Sequence, residues 1–188
     1  MNAKKVLELN GDFRNSPLLD TARRLHACFT RHGIPYAIIG GLAVVRNGAV
    51  RTTVDVDVLL QMGDRQRTEA ALGEDFTARV DGARDRRNQV EVDFLYSGDD
   101  RGMIVPSEFD TALGANFMGL RGILELKTAV YLHKKKEDGI ELAAKDLADV
   151  VALVRANRDR VGAQLLGSPN PAIRKQLRRI LRRVKPGR

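Results

Sequence analysis

The spacing of apolar positions changes along the chain, and each change marks an element. Leu18, Leu19, Ala22, Leu25, Cys28 and Phe29 recur every three to four residues, the stripe of an amphipathic helix. Ser16-Pro17 supplies its N-cap and first position, and Gly33 stands near its end. Tyr36-Ala37-Ile38-Ile39 is a short apolar run, read as a strand that ends at Gly40-Gly41. Leu42 to Asn47 then reads as a brief helix closed by Gly48. Val54-Asp55-Val56-Asp57-Val58 alternates strictly, which puts the three valines on one face of a strand and both aspartates on the other.

The second half follows the same logic. Met62-Gly63-Asp64 ends the acidic strand and caps a helix over about 65–72, and a strand follows at 76–80. Residues 81–89 are charged and turn-rich, and are expected to join two antiparallel strands. In the second of these, Val90, Val92, Phe94 and Tyr96 share one face and Glu91 and Asp93 the other. Residues 97–119 read as a loop with one short helix at most. Helices over 121–136 and 140–157, joined by Glu137-Asp138-Gly139, predict a helical hairpin. Ser168-Pro169-Asn170-Pro171 breaks the chain before a last helix, with Asn170 as N-cap and Pro171 at the first helical position. Residues 1–15 carry no decisive pattern. The expected class is α+β (α/β), a small mixed sheet flanked by helices. A core spans 1–119, a helical hairpin 120–167 and a basic amphipathic C-terminal helix 168–188.

Composition narrows this picture. With 43% hydrophobic residues over 188 positions the chain can bury a proper core, which excludes global disorder. It shows neither an N-terminal apolar signal region nor a run of about 18 apolar residues, so a cytoplasmic protein without a membrane partner is expected. Cys28 is the single cysteine, which excludes internal disulfides, and its place in a helical stripe assigns it to the core. His26 and His32 have no ligand partners at zinc spacing and read as surface or packing residues. The net charge of +8 resides in the tail. Arg174, Lys175, Arg178, Arg179, Arg182, Arg183, Lys185 and Arg188 meet no acid after Ala172, so residues 1–171 sum to zero. Such a block suits RNA or another polyanion. Ile173, Leu177, Ile180, Leu181 and Val184 recur at helical spacing in the same segment, so packing on its own domain or on a partner chain stands beside that reading.

The chemistry concentrates between Tyr36 and Leu60. Two glycines after a strand allow a sharp turn with open amides, and a helix N-terminus there favours an anion such as phosphate. Two carboxylates on one strand face suit a hard cation, and magnesium takes one or two carboxylates together with substrate phosphates. A glycine turn followed by D-x-D therefore points to a metal–nucleotide complex.

These residues resemble the DNA polymerase β-like nucleotidyltransferases, in which Gly-Gly or Gly-Ser after the first strand is followed, about ten to fifteen residues on, by D-x-D or D-x-E. Gly40-Gly41 and Asp55-Val56-Asp57 fit that pattern. The wording IGGLAV, RTTVDVDVLL, LELKTAV and KDLADVVAL is most similar to a minimal bacterial branch that includes AbiEii-type toxins of toxin–antitoxin systems. Gly41 stands where many members carry a phosphate-binding serine, which leaves more of that contact to backbone amides. The resemblance implies a third metal carboxylate from the neighbouring strand, assigned to Asp93 with Glu91 as the alternative. It implies that Asp55, Asp57 and Asp93 hold Mg²⁺, or Mn²⁺ in its place, and that Gly40, Gly41, Arg51 and Thr53, with Arg46 a weaker choice, serve the nucleotide. It also implies site roles for Lys127, Lys145, Asp146 and Asp149, although periodicity alone favours an ordinary ion-paired helix surface for these four. The implied activity transfers a nucleoside monophosphate from an NTP to an acceptor hydroxyl. The acceptor is open among tRNA or other RNA, a protein hydroxyl and a small molecule such as an aminoglycoside, with the basic tail over Arg174–Arg188 favouring RNA, and the resemblance adds a cognate antitoxin as partner. A non-catalytic nucleotide- or RNA-binding module of the same fold is the competing expectation.

Overall fold

The computed structural model describes residues 15–98, 109–164 and 170–184. The chain divides into two compact units, one of residues 1–43 and 52–118, the other of residues 44–51 and 119–188.

In the first unit, helix α1 (Pro17–Arg31) starts where Ser16 accepts a hydrogen bond from the Leu19 amide, with proline in the first turn. Its apolar stripe, Leu18, Leu19, Ala22, Leu25 and Phe29, is buried. The stripe belongs to one cluster with Val56, Val58, Leu60, Val92, Phe94 and Tyr96, so the alternation of the two acidic strands predicts their buried face. Val54 departs from that reading: it lies ahead of the strand, which begins at Asp55, and is exposed. The strands are β1 (Tyr36–Ile38), β2 (Asp55–Gln61), β3 (Phe76–Arg79), β4 (Gly82–Asp85), β5 (Glu91–Ser97), β6 (Phe109–Asp110) and β7 (Phe117–Met118). They form one mixed sheet in the order β3-β4-β5-β2-β1-β7-β6. β2 runs antiparallel to β1 and parallel to β5, and β1 runs parallel to β7. Helix α2 (Gly40–Arg46) follows β1 directly and starts two residues before the expected Leu42. Helix α3 (Arg65–Ala71) follows a 3₁₀ turn at Met62–Asp64. Asp64 makes no side-chain cap bond there and pairs with Arg67 instead.

Two segments differ from expectation. Residues 81–89 contain β4, which pairs with both β3 and β5, so β3 and β5 are not neighbours. Gly-Ala-Arg-Asp has no apolar alternation to betray a strand. Its buried acid, Asp85, is held by the Arg24 guanidinium, by the Thr21 hydroxyl at 2.7 Å and by the Arg87 amide at 2.9 Å. Burial pushes the Asp85 carboxyl up, but these donors outweigh it and hold it below its usual range. The expected loop over 97–119 includes the short strands β6 and β7, and its stretch 99–108 lies outside the described residues. Cys28 packs half-buried against the core, its thiol on the Ala71 carbonyl. His26 meets the Tyr36 hydroxyl at 2.8 Å, and His32 is exposed.

In the second unit, α4 (Leu120–Glu137) and α5 (Ile140–Ala156) pack as a hairpin, followed by α6 (Arg158–Gln164) and α7 (Pro171–Arg183). Asn170 caps α7 through the amides of Ala172 and Ile173, as Asn-Pro predicts. Ile173, Leu177, Ile180 and Val184 are buried, and α7 packs on α4 and α5, so the apolar stripe of the tail is folded onto its own unit. Arg158 reaches back to the carbonyls of Leu181 and Val184, which satisfies acceptors left open at the end of α7. Lys185 and Arg188 lie outside the described residues. Among the described residues, no helix is long and apolar enough to cross a membrane.

Candidate active site

The parallel pairing of β2 with β5 fixes the acidic side chains. Asp55 stands opposite Glu91 and Asp57 opposite Asp93, so all four project on the face away from the α1 cluster. Two neighbours separate their roles. Arg79 and Arg84 both grip the Glu91 carboxylate. Burial opposes its ionisation, but Arg84 and Arg79 outweigh that and lower its pKa. Asp93 is raised instead, by burial first and then by the charge of Asp55, with Glu91 adding and Arg79 opposing. Of the two acids on β5, Asp93 is therefore the one that a cation would relieve, and Glu91 is committed to arginines.

Thr53, almost fully buried, donates its hydroxyl to Asp55 Oδ1 at 2.8 Å. It positions a carboxylate, a contact for which the sequence carried no specific signal. Asp57 lies against the glycine turn. A Cβ placed on Gly40 would stand 1.6 Å from Asp57 Oδ2 and 2.7 Å from Asp57 Cβ, and Gly40 has φ +59°. The Ile39 amide donates to the Asp57 carbonyl at 2.9 Å, which ties the turn to β2 by backbone as well. Gly82 on β4, paired with Asp93, likewise admits no Cβ, since one would come within 2.1 Å of the Val92 carbonyl oxygen. The sequence therefore brings Gly40, Gly41, Thr53, Asp55, Asp57 and Asp93 to one place in the first unit.

Whether these acids suit a metal can be judged from their charges and placement. The donor set is hard oxygen, and Asp55 raises the pKa of Asp93, a repulsion that a divalent cation would offset. As the side chains stand, however, no three His, Cys, Asp or Glu groups among the described residues are gathered as metal ligands. The residues fit a cation in kind and register, with their carboxylates still to be drawn together.

The other predicted residues meet in the second unit. Lys127 Nζ lies 2.9 Å from Asp146 Oδ1 and 3.0 Å from Asp149 Oδ2. Lys134 takes the second oxygen of Asp146 at 2.9 Å, and Arg51 takes Asp149 Oδ2 at 2.7 Å. Both aspartates are buried, and Lys134 and Lys127 overcome burial to lower the pKa of Asp146. These groups form an ion-paired cluster of three cations around two buried carboxylates, and it includes Lys134, which sequence reasoning missed. Its clue was spacing, because Lys127 and Lys134 are two helical turns apart and share a face. Lys145 is exposed and takes no part in it.

No protein-family model matches the chain, and no curated protein matches it. Among solved structures it is similar to an antigenic nucleotidyltransferase-like protein from Paracoccidioides brasiliensis, with 17% identity and a TM-score of 0.55 over 91% of this chain and 94% of that one. It is also similar to ANT(2″)-Ia in complex with adenylyl-2″-tobramycin, with 13% identity and a TM-score of 0.51 over 86% of this chain and 97% of that one. At these identities the likeness is one of fold: a mixed sheet flanked by helices, shared with nucleotidyltransferase-like proteins across nearly the whole chain.

Proposed function

We propose that the protein is a metal-dependent nucleotidyltransferase, joining a nucleoside monophosphate from an NTP to an acceptor hydroxyl with release of pyrophosphate. The observation that carries this reading is the in-register placement of Asp57 beside Asp93 with the Asp57 carboxylate folded against Gly40. Acid pair and glycine turn, each commonplace alone, become one locus. Asp55, Asp57 and Asp93 would hold magnesium, or manganese. Either ion, when bound, supplies a Lewis acid for the triphosphate and lowers the pKa of the attacking hydroxyl. Thr53 orients Asp55, and the Gly40-Gly41 turn offers the phosphates close backbone approach. The reading rests on the first unit alone. In the second unit, Arg51, Lys127, Asp146 and Asp149 hold one another, and a phosphate role for the two cations there requires an exchange of partners.

A small-molecule acceptor is the second reading, favoured by the fold shared with ANT(2″)-Ia, whose structure contains adenylyl-2″-tobramycin. The basic tail favours RNA as acceptor, and the wording shared with AbiEii-type toxins supports a place in a toxin–antitoxin pair. Incubation with each α-labelled NTP and Mg²⁺ or Mn²⁺, with total RNA and with an aminoglycoside offered separately, tests these together. Label should move in the wild type and fall at least ~10²-fold in Asp57→Asn, which removes a ligand and its charge. Equal labelling by the variant would refute the site, and nucleotide binding without transfer would favour the non-catalytic module.

A further inference from the structure

Helix α7 divides cleanly around its axis. At 100° per residue, Ile173, Leu177, Ile180, Leu181 and Val184 fall in one sector, and Arg174, Lys175, Arg178, Arg179, Arg182 and Arg183 fill the opposite half. The apolar sector is packed on α4 and α5, and the basic half is turned outward. Five of its cations, Lys175, Arg178, Arg179, Arg182 and Arg183, are exposed and make no ion pair among the described residues. Arg174, half-buried, flanks them on the same helix.

We propose that this face of α7 is a docking surface for the phosphate backbone of folded RNA. Three observations select that occupant. The helix cannot insert into a bilayer, because the apolar side that insertion needs is already buried in its own unit. It carries no aromatic residue on which unstacked bases could lie, which argues against a single-strand platform. Its cations are mostly arginine, whose planar fork matches phosphate oxygens in pairs. What remains is recognition of a charged backbone without base readout, in the manner of double-stranded RNA. The choice of RNA over DNA rests on the reading in which RNA is the acceptor, and the DNA duplex in the test below decides it.

The Arg174–Arg183 stretch spans about 14 Å of helix, and about four phosphate contacts there give a log–log salt slope of about −3.6. Affinity should then fall about 10²-fold between 50 and 200 mM salt. The test is fluorescence anisotropy of the full chain with a labelled RNA hairpin, without NTP or metal, across that range. A quadruple variant, R178Q, R179Q, R182Q and R183Q, keeps every buried position of α7 and should flatten the slope toward zero with at least ~10-fold weaker binding at 50 mM. Circular dichroism and thermal melting confirm that the variant is folded. Asp57→Asn should bind the hairpin like wild type, which separates failure of this surface from failure of the catalytic reading. An unchanged slope in the quadruple variant overturns the proposal. Tighter binding of polyglutamate, anionic vesicles or a DNA duplex of the same sequence than of the RNA hairpin also overturns it.

Discussion

Replacing Gly40 by alanine tests whether the glycine turn and the D-x-D strand are one constructed locus. Gly40 has φ +59°, where an L residue with a Cβ costs about 1 to 2 kcal/mol. The added methyl would stand 1.6 Å from Asp57 Oδ2, 2.4 Å from Cγ and 2.7 Å from Cβ. Rotating the Asp57 side chain relieves the first two contacts. The third remains, because Asp57 Cβ is fixed to a strand whose carbonyl accepts the Ile39 amide. Turn and strand must therefore move apart, an overpacking cost of about 1 to 3 kcal/mol. The expected loss is about 2 to 5 kcal/mol, and each kcal/mol lowers Tm by about 2 to 4 °C in a chain of this size. Urea denaturation of Gly40→Ala, Asp57→Gly and the double variant measures it. Since Asp57→Gly removes the Cβ that rotation cannot move aside, Gly40→Ala should cost at least ~1 kcal/mol less in that background. A cost below about 0.5 kcal/mol, or the same cost in both backgrounds, would show that Asp57 does not lie on the turn.

Two further outcomes follow from the charges. Asp93 has a raised pKa in the fold, so its ionisation weighs against the folded state once pH rises above its unfolded value of about 3.9. Asp93→Asn should therefore raise Tm at pH 7 in metal-free buffer, with the gain vanishing below about pH 3.9, while labelling activity is lost. A lower Tm at pH 7 would contradict the repulsion assigned to Asp55. Lys127→Met leaves Asp146 with Lys134 and Asp149 with Arg51, so it removes two charge-assisted hydrogen bonds without stranding a charge and should cost about 1 to 3 kcal/mol in chemical denaturation. The depressed pKa of Asp146 contributes stability above its unfolded value of about 3.9, lost as pH falls through the lower folded value, so the deficit should shrink in acid. A deficit under about 0.5 kcal/mol would mean that Lys127 does not help to hold the two buried carboxylates.

Period and punctuation made most of this fold legible. Val92, Phe94 and Tyr96 could face only a core, and Asn170-Pro171 could only start a helix. What stayed hidden depended on tertiary partners. β4 is a strand because β3 and β5 flank it and Arg24 neutralises Asp85, neither of which local sequence records. The site was legible in type, since D-x-D and E-x-D reveal their faces by alternation. Sequence did not distinguish Asp93 from Glu91 by charge, because that distinction comes from Arg79 and Arg84 across the sheet. The tail was ambiguous for the opposite reason. Both of its faces were plain in the sequence, and the structure turns the apolar one inward and leaves the basic one exposed.

The ion pair between Arg51 and Asp149 joins positions 98 residues apart, and the Asn157 amide likewise donates to the Asn47 carbonyl. During synthesis at about 5 to 20 residues per second, residues 44–51 leave the ribosome about 5 to 20 s before their partners exist. A gene fragment beginning at residue 119 would thus encode the later helices of the second unit without residues 44–51, leaving Lys127 as the cation on Asp149. Supplying residues 44–51 as a separate peptide is the corresponding route to reconstituting it.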